Sequence, residues 1–510
     1  MPDSQDTVKS LEDSLKKRYS IKLLANIISG IISGILIAIA PKALGPIAYG
    51  QFIYLQEFFI KIIGFLDMGS SIAFFTKLSA RHTRKELITF YFLYSIVILC
   101  IVSLFIYAVQ VFGYTDALLH NIPNEYIFMG FIFVFLTWFT QIFIKISDAY
   151  ALTVSVELIK IGHKVVSLLL LLYFVYFTTF DLDGYFYFNY IALLSFLFII
   201  SWLFIKKEIF KDILNFKFSI INLSKEFVEY CHPLLAYSII GLVAGFFDIW
   251  LLQKVAGSEQ IGFYGLAYSL AAICFLFTLA MTPVITREFS KSYEQKDLNK
   301  MKKLFHRYIP MFYSVAAYFS IFISVQSENV LIIFTDENFK DAFLVLAIMA
   351  IYPIHQTYGQ LSGSIFYATG QTKLMRNMSF FTQPLGMVIS FGLIYLLDLG
   401  AVGLAYKMII GQFIWVNIQL YFNSKFLDLD MKYFVLHQLY SVIFFVVLAY
   451  ISAVIISLNS PLYEFLVSGA VYTLLVIVGV YIFPQVFSTT RDEIKDNLIR
   501  IKKGISKKIV

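Results

Sequence analysis

From residue 21 to residue 487 the chain is a succession of apolar runs, most of them 20 residues or longer, separated by short polar breaks. A helix needs about 20 such residues to cross the roughly 30 Å hydrocarbon core of a bilayer. The runs lie near 21–41, 47–75, 86–112, 124–146, 151–178 and 185–205, and then near 229–253, 260–286, 308–325, 341–368, 374–398, 400–422, 433–457 and 462–487. This pattern predicts an all-α polytopic membrane protein with about fourteen transmembrane helices. The composition points the same way: 59% of residues are hydrophobic, 14% are charged and the mean hydropathy is +0.77, whereas soluble domains carry roughly a quarter charged residues. A soluble multidomain enzyme, a disulfide scaffold and a disordered tail protein are excluded. Cys100, Cys231 and Cys274 are few and far apart, with no zinc or redox spacing, and read as small core residues. The polar first 20 residues do not read as a cleavable signal.

An even number of spans places both termini on one side, and the basic residues choose the side. With cytoplasmic termini, 33 of the 40 Lys and Arg residues fall inside, Lys42, Lys254 and Lys340 fall outside, and only Lys61, Lys160, Lys164 and Lys407 lie within spans. The net charge of +7 is then mostly positive-inside charge facing anionic membrane lipids, and no nucleic-acid partner is implied. A repeat subdivides the chain. Lys42-x-x-Gly45-x-x-x-x-Gly50 recurs as Lys254-x-x-Gly257-x-x-x-x-Gly262, one six-helix block later, with Phe52 and Tyr264 following. Both copies precede the second helix of their block, which predicts a parallel repeat. The expected organisation is a cytoplasmic tail (1–20), an N-lobe of six helices (21–205) and a cytoplasmic linker (206–228). A pseudo-symmetric C-lobe of six helices (229–422), two further helices (433–487) and a basic cytoplasmic tail (488–510) complete it.

Ionisable side chains inside spans cost roughly 2.5–3.5 kcal/mol each at mid-helix and usually face a wet cavity or a bundle interior. Glu57 and Lys61 are i, i+4 neighbours, and Glu157, Lys160 and Lys164 share one stripe. Asp248, His355 and Lys407 stand in later spans, while Lys22 and Arg287 sit near cytoplasmic ends, where snorkelling also explains them. The lysines and Arg287 are candidates to hold an anionic headgroup; Asp248, Glu57 and His355 are candidates for a coupling ion or proton. The plainer reading is that Glu57–Lys61 and Glu157–Lys160 pair internally and lock helix packing. Asp181-x-Asp183 and Asp428-x-Asp430 read as turns, and no metal site, cofactor site or G-x-x-x-x-G-K-[ST] nucleotide loop is expected.

Three stretches carry a resemblance: Leu44-Gly45-Pro46-Ile47-Ala48-Tyr49-Gly50-Gln51-Phe52, Asp67-Met68-Gly69, and Tyr367-Ala368-Thr369-Gly370-Gln371-Thr372-Lys373. In this order and placement the chain resembles the polysaccharide branch, the Wzx-type O-antigen and capsule flippases, of the multidrug/oligosaccharidyl-lipid/polysaccharide (MOP) exporter superfamily. The resemblance implies a flippase of a bacterial cytoplasmic (inner) membrane, not an enzyme. Its cargo would be a polyprenyl (undecaprenyl)-pyrophosphate-linked oligosaccharide for O-antigen, lipopolysaccharide, capsule or exopolysaccharide synthesis, moved by alternating access. H+ or Na+ as coupling ion, and a polysaccharide polymerase and chain-length regulator as partners, go with that reading. In relatives the cavity is lined mainly by the first two helices of each lobe, which here carry Lys22, Lys61, Asp248 and Arg287; Lys160, Lys164 and Lys407 lie elsewhere. Helices 13 and 14 form a groove for the lipid tail in relatives. A cation-coupled multidrug antiporter shares the superfamily, but the first span here, Ile21–Pro41, carries no acid. A membrane glycosyltransferase or polymerase would need a longer external loop than this chain offers.

Overall fold

The computed structural model describes residues 15–80, 84–150, 152–211, 219–231, 235–493 and 495. Among these, twelve helices are long and apolar enough to cross a membrane, and no strand occurs. In hydrocarbon, where no water pairs with the backbone, a helix satisfies every backbone group within its own segment. Two of the twelve, Ile28–Asp67 and Ile239–Glu294, run 40 and 56 residues, about two and nearly three times the roughly 20 that one crossing requires. The fourteen expected spans count each of these as two.

The longer helices are α1 (Leu15–Asp67), α2 (Ser70–Ala80), α3 (Glu86–Val111), α4 (Asn124–Ala149), α5 (Thr153–Phe177), α6 (Leu182–Lys206), α7 (Ile220–Cys231) and α8 (Leu235–Ala271). They continue as α9 (Leu276–Glu294), α10 (Leu298–Val325), α11 (Tyr352–Ala368), α12 (Thr372–Ser390), α13 (Gly400–Leu427), α14 (Met431–Ile455) and α15 (Pro461–Ile482). They form two compact units. One holds the described residues up to Gly262 together with Ile394–Gly400; the other holds Phe263–Leu393 and the described residues from Ala401 onward.

Both copies of the repeated motif break their helix at the same glycine. Gly45 in α1 has φ 73°, ψ 168° and Gly257 in α8 has φ 82°, ψ 179°, a conformation open to glycine and strained for any other residue. The second glycine of each copy serves close approach. A Cβ on Gly50 would overlap the carbonyl of Ser258, and a Cβ on Gly262 would overlap the carbonyl of Pro46. Pro46 and Ser258 are equivalent positions of the repeat, as are Gly50 and Gly262. The contact is therefore reciprocal, which a two-fold relation between the copies produces.

Asp67-Met68-Gly69 ends α1 with left-handed backbone at Met68 (φ 43°) and Gly69 (φ 78°). Asp67 then caps the next helix: it accepts from Ser71 N at 3.2 Å, Ser71 Oγ at 2.8 Å, Ser70 Oγ at 3.1 Å and Tyr91 Oη at 2.8 Å. Lys145 donates to Ser71 Oγ. The expected linker region contains α7, whose Leu223, Phe227 and Cys231 are buried while Ile221 and Val228 face outward. Its Glu226 accepts from Lys77 at 2.7 Å and from Arg84 at 3.2 and 3.3 Å. Those bonds, Arg84's first, hold its carboxyl below the usual range.

In the second unit α10 packs against α11 and α14. Tyr472 of α15 stacks on Tyr318 and Phe322 of α10 with centroids 5.1 and 5.2 Å apart. Asp181 and Asp430 cap α6 and α14 through Gly184 N and Lys432 N, and Asp428 lies 3.1 Å from Lys302; Asp183, expected in a turn, instead lies in the first turn of α6, where an acid complements the helix N-terminus. Cys231 and Cys274 are buried as expected, but Cys100 is exposed on α3. Its small apolar thiol suits the lipid-facing side of a span as well as a core.

The reciprocal glycine contact yields a signed prediction. Gly50→Ala lowers the thermal midpoint in detergent, by a stability loss of about 1–3 kcal/mol from overpacking, because the Ser258 backbone cannot yield. Gly34→Ala, at a helical position with nothing within 4 Å, leaves it unchanged or gains roughly 0.5–1 kcal/mol. Equal midpoints for the two variants would contradict the close packing.

Candidate functional site

A polar cavity of about 500 Å³ opens inside the first unit, between the first half of α1 and helices α4, α5 and α6. It exists because α5 carries polar residues with helical period. Glu157, Lys160, His163, Lys164 and Ser167 recur at steps of three and four, so they fall on one stripe. Opposite them stand Ser29 of α1, Tyr49 just beyond the break, Thr140 and Gln141 of α4, and Tyr185 and Asn189 of α6, with Leu36, Ile37, Leu171 and Phe188 filling the remainder.

The charges within the cavity are not equivalent. Glu157 is buried and 2.8 Å from Lys160, so that pair is internally compensated. Lys164, at mid-helix, donates to Ser33 Oγ of α1 at 3.1 Å, a neutral partner that leaves its charge uncompensated by that bond. His163 donates from Nε2 to the Ala192 carbonyl at 2.7 Å, since a carbonyl can only accept. Its Nδ1 lies 3.5 Å from Ser167 Oγ. The ring is thus held between α5 and α6 as part of the cavity wall. Two ammonium groups, one carboxylate and several hydroxyl and amide groups give a surface that complements an anion and hydrogen-bonding groups attached to it.

The residues singled out from the sequence separate in space. Lys160 and Lys164 share this cavity. Lys61 and Glu57 of α1 form their own ion pair at 3.3 Å, and the Lys61 chain passes over Gly245 of α8, where a Cβ would meet its Cε at 3.0 Å. Asp248 is buried one turn further along α8. In the second unit, Lys407 of α13 lies over Gly386 of α12, with its Cε 3.3 Å from where a Cβ would be. There His355 is buried in α11 and Arg287 is exposed on α9. The side chain of Lys22 lies outside the described residues. His163 is the cavity residue that the search for charged side chains passed over; its spacing from Lys160 and Ser167 is the signal that identifies it.

Comparison with known proteins places this geometry. Residues 233–391 match the family model MatE. The "Probable low-salt glycan biosynthesis flippase Agl15" of Haloferax volcanii is 22% identical over 203 residues, 39% of this chain and 42% of that relative's length. Among solved structures, the lipid II flippase MurJ in an inward closed conformation superposes with a TM-score of 0.64 at 14% identity, covering 91% of this chain and 99% of that one. A multidrug resistance MATE family transporter of the MOP superfamily, outward-facing, gives 0.56 at 17% identity, with coverages of 82% and 98%. A MOP superfamily transporter from Pyrococcus furiosus Vc1, described as having a binding pocket of reversed polarity, gives 0.58 at 17% identity, with 83% and 98% covered. The chain therefore has the helical membrane fold of MATE transporters and of MurJ.

The buried pair makes a test of the cavity's electrostatics. Glu157→Gln leaves Lys160, half-buried in the cavity wall, without its partner and costs about 1–3 kcal/mol. Adding Lys160→Met to Glu157→Gln removes the orphaned charge and restores most of the loss. Thermal melts of the wild type, both single variants and the double variant measure the coupling; additive losses would show that the pair is not electrostatically linked.

Proposed function

We propose that the protein is a flippase for a lipid-linked oligosaccharide, with a pyrophosphate-type anionic headgroup received by Lys164 and Lys160. The observation that carries this reading is the cavity of the first unit, where basic groups outnumber the single carboxylate and are surrounded by hydroxyl and amide groups. A headgroup with several sugars cannot cross hydrocarbon unaided; a wet, cationic chamber replaces its lost hydration while the polyprenyl tail stays in lipid. The similarity to Agl15 and the MurJ-like fold support the cargo class. Undecaprenyl-pyrophosphate as the carrier, the polysaccharide polymerase and chain-length regulator as partners, and a bacterial inner membrane belong to the same proposal.

The two-lobed organisation suits rocking about a fixed site. Outward movement of about two negative charges gains roughly 4–5 kcal/mol per 100 mV of membrane potential, enough to bias direction. In this reading Lys61, Lys407, Lys22 and Arg287 guide the headgroup along its path, and Asp248 and Glu57 are coupling candidates. A cation-coupled multidrug antiporter is the second reading. It is favoured by the MatE match at residues 233–391, a segment that contains the buried Asp248.

Reconstitution separates the two. In proteoliposomes holding a fluorescent polyprenyl-pyrophosphate oligosaccharide, the protein is expected to expose inner-leaflet probe to an external quencher. Lys164→Met should slow that exchange about tenfold, the loss of one charge-assisted contact of roughly 1.5 kcal/mol. Absence of exchange, with uptake of a lipophilic cation instead, would overturn the flippase reading in favour of antiport.

A further inference from the structure

The second unit contains a buried polar cluster that no headgroup reading employs. It is centred on Tyr313 of α10, whose ring lies 5.9 Å from His355 and 5.7 Å from Tyr358 of α11, and 6.1 Å from His437 of α14. Tyr313, Tyr358 and His437 are fully buried, and His355 and Gln438 nearly so. Three of their polar atoms have no hydrogen-bond partner, Tyr313 Oη, His355 Nδ1 and His437 Nδ1, while the Tyr358 hydroxyl and the Gln438 side chain lie next to each other. Buried polar groups are rarely left so, and several around one ring are not explained by packing, which phenylalanine and leucine would do without the cost.

His437 shows what the cluster can do. Its Nε2 lies 3.0 Å from the Val486 carbonyl. A carbonyl only accepts, so in the neutral ring the hydrogen is on Nε2 and Nδ1 carries the lone pair. That lone pair is a base, buried in the same packing as the two phenols. The helices around it contribute further rings and polar groups, beside the Val486 carbonyl of the Pro484–Phe487 turn. From α10 come Tyr313 and, further along, His306; from α11, His355 and Tyr358; from α14, Tyr433 and Tyr440 beside His437 itself. From α13 Phe413 covers His355 at 5.3 Å, and Asn417 approaches Gln438 at 3.4 Å. Among these described neighbours there is no carboxylate and no ammonium.

We propose that Tyr313, His355, Tyr358, His437 and Gln438 form a buried proton-binding site in the second unit, with His437 Nδ1 as the acceptor. The proton comes from bulk water and returns to it; an N–H bond forms at Nδ1 and no electrons are transferred. Gln438 Oε1 and the tyrosine oxygens accept from the new N–H or from a water beside it. Because no counter-charge lines the site, the imidazolium is poorly accommodated in this packing. Protonation therefore loosens the contact of α10 with α11 and α14, so that a proton is exchanged for a helix movement. The inference goes beyond the cargo reading and does not depend on it.

Hydrogen–deuterium exchange of the full-length protein in detergent tests this without any cargo. After correction for the chemical exchange rate, peptides covering 305–318, 352–362 and 432–442 should exchange about tenfold faster at about pH 5 than at about pH 7.5, the window in which histidine titrates. His437→Gln retains an amide donor toward Val486 but no titrating nitrogen and should abolish the response; His355→Gln should reduce it. Ser441→Ala, beside His437 but not titratable, should retain it. Three results would each overturn the proposal: equal corrected exchange at both pH values, a response that survives in both histidine variants, or the same loosening when sodium replaces potassium at neutral pH. Should His437→Gln fail to fold, His355→Gln and Tyr313→Phe decide in its place, since an undiminished response in both would contradict the site.

Discussion

In hydrocarbon a polar group without a partner has no water to turn to, and the rest of this structure follows from that constraint. It forces the backbone into helices and sets conditions at each point where a helix must stop. Where α1 ends, Asp67 accepts from the serines and amide that would otherwise be orphaned. The carbonyls of the short turn at Ala117, Leu118 and His120 are taken up by the Trp250 indole, the Tyr54 hydroxyl and the Gln253 amide. The helix breaks at Gly45 and Gly257 leave their backbone protected in another way, because Gly50 and Gly262 allow main chain to meet main chain.

The same constraint sorts the charges. Glu57–Lys61 and Glu157–Lys160 are closed within one helical turn and are cheap to bury, since neither ion travels far from its partner. Lys164 has a serine as its bonded partner, and that arrangement carries a cost which only hydration or a bound anion would offset. Burial of an ion pair is weak evidence for function. An ammonium held by a neutral hydroxyl at mid-helix is stronger evidence, and for that reason the cavity rather than the tally of charges bears on the cargo.

What could be read from the residues is what lies along one helix. The apolar runs delimit the spans, the glycine spacing marks the two breaks, and the stripe Glu157, Lys160, Lys164 follows from period alone. What could not be read is what different helices bring together. Family resemblance directs attention to Lys22, Lys61, Asp248 and Arg287 in the first helices of each lobe, whereas the polar cavity described here is built on α5, with α1, α4 and α6 as walls. No spacing rule reveals that Lys164 reaches Ser33, 131 positions away, or that Gly50 meets Ser258. His163 becomes conspicuous only once α5 is packed against α6, where its ring meets the Ala192 carbonyl. In the second unit, Tyr313, His355 and His437 come from three helices whose sequences separately look like ordinary apolar spans.

In the flippase reading proposed above, the charges of the first-unit cavity favour an anionic cargo over a cationic one. A site for lipophilic cations needs an excess of carboxylate that is free to pair with the drug, but here Glu157 is engaged at 2.8 Å by Lys160. A cation entering would meet Lys164 and would have to displace an existing ion pair to find its counter-charge. An anion meets Lys164 directly, and Lys160 can turn toward it while still sharing Glu157. Hydroxyl and amide groups on the opposite walls suit sugars more than aromatic drugs, which would leave those groups unpaired. The fold is shared by proteins described as multidrug transporters and as a lipid II flippase, so in the flippase reading proposed above any discrimination would rest on side chains such as the α5 stripe rather than on the architecture that presents them.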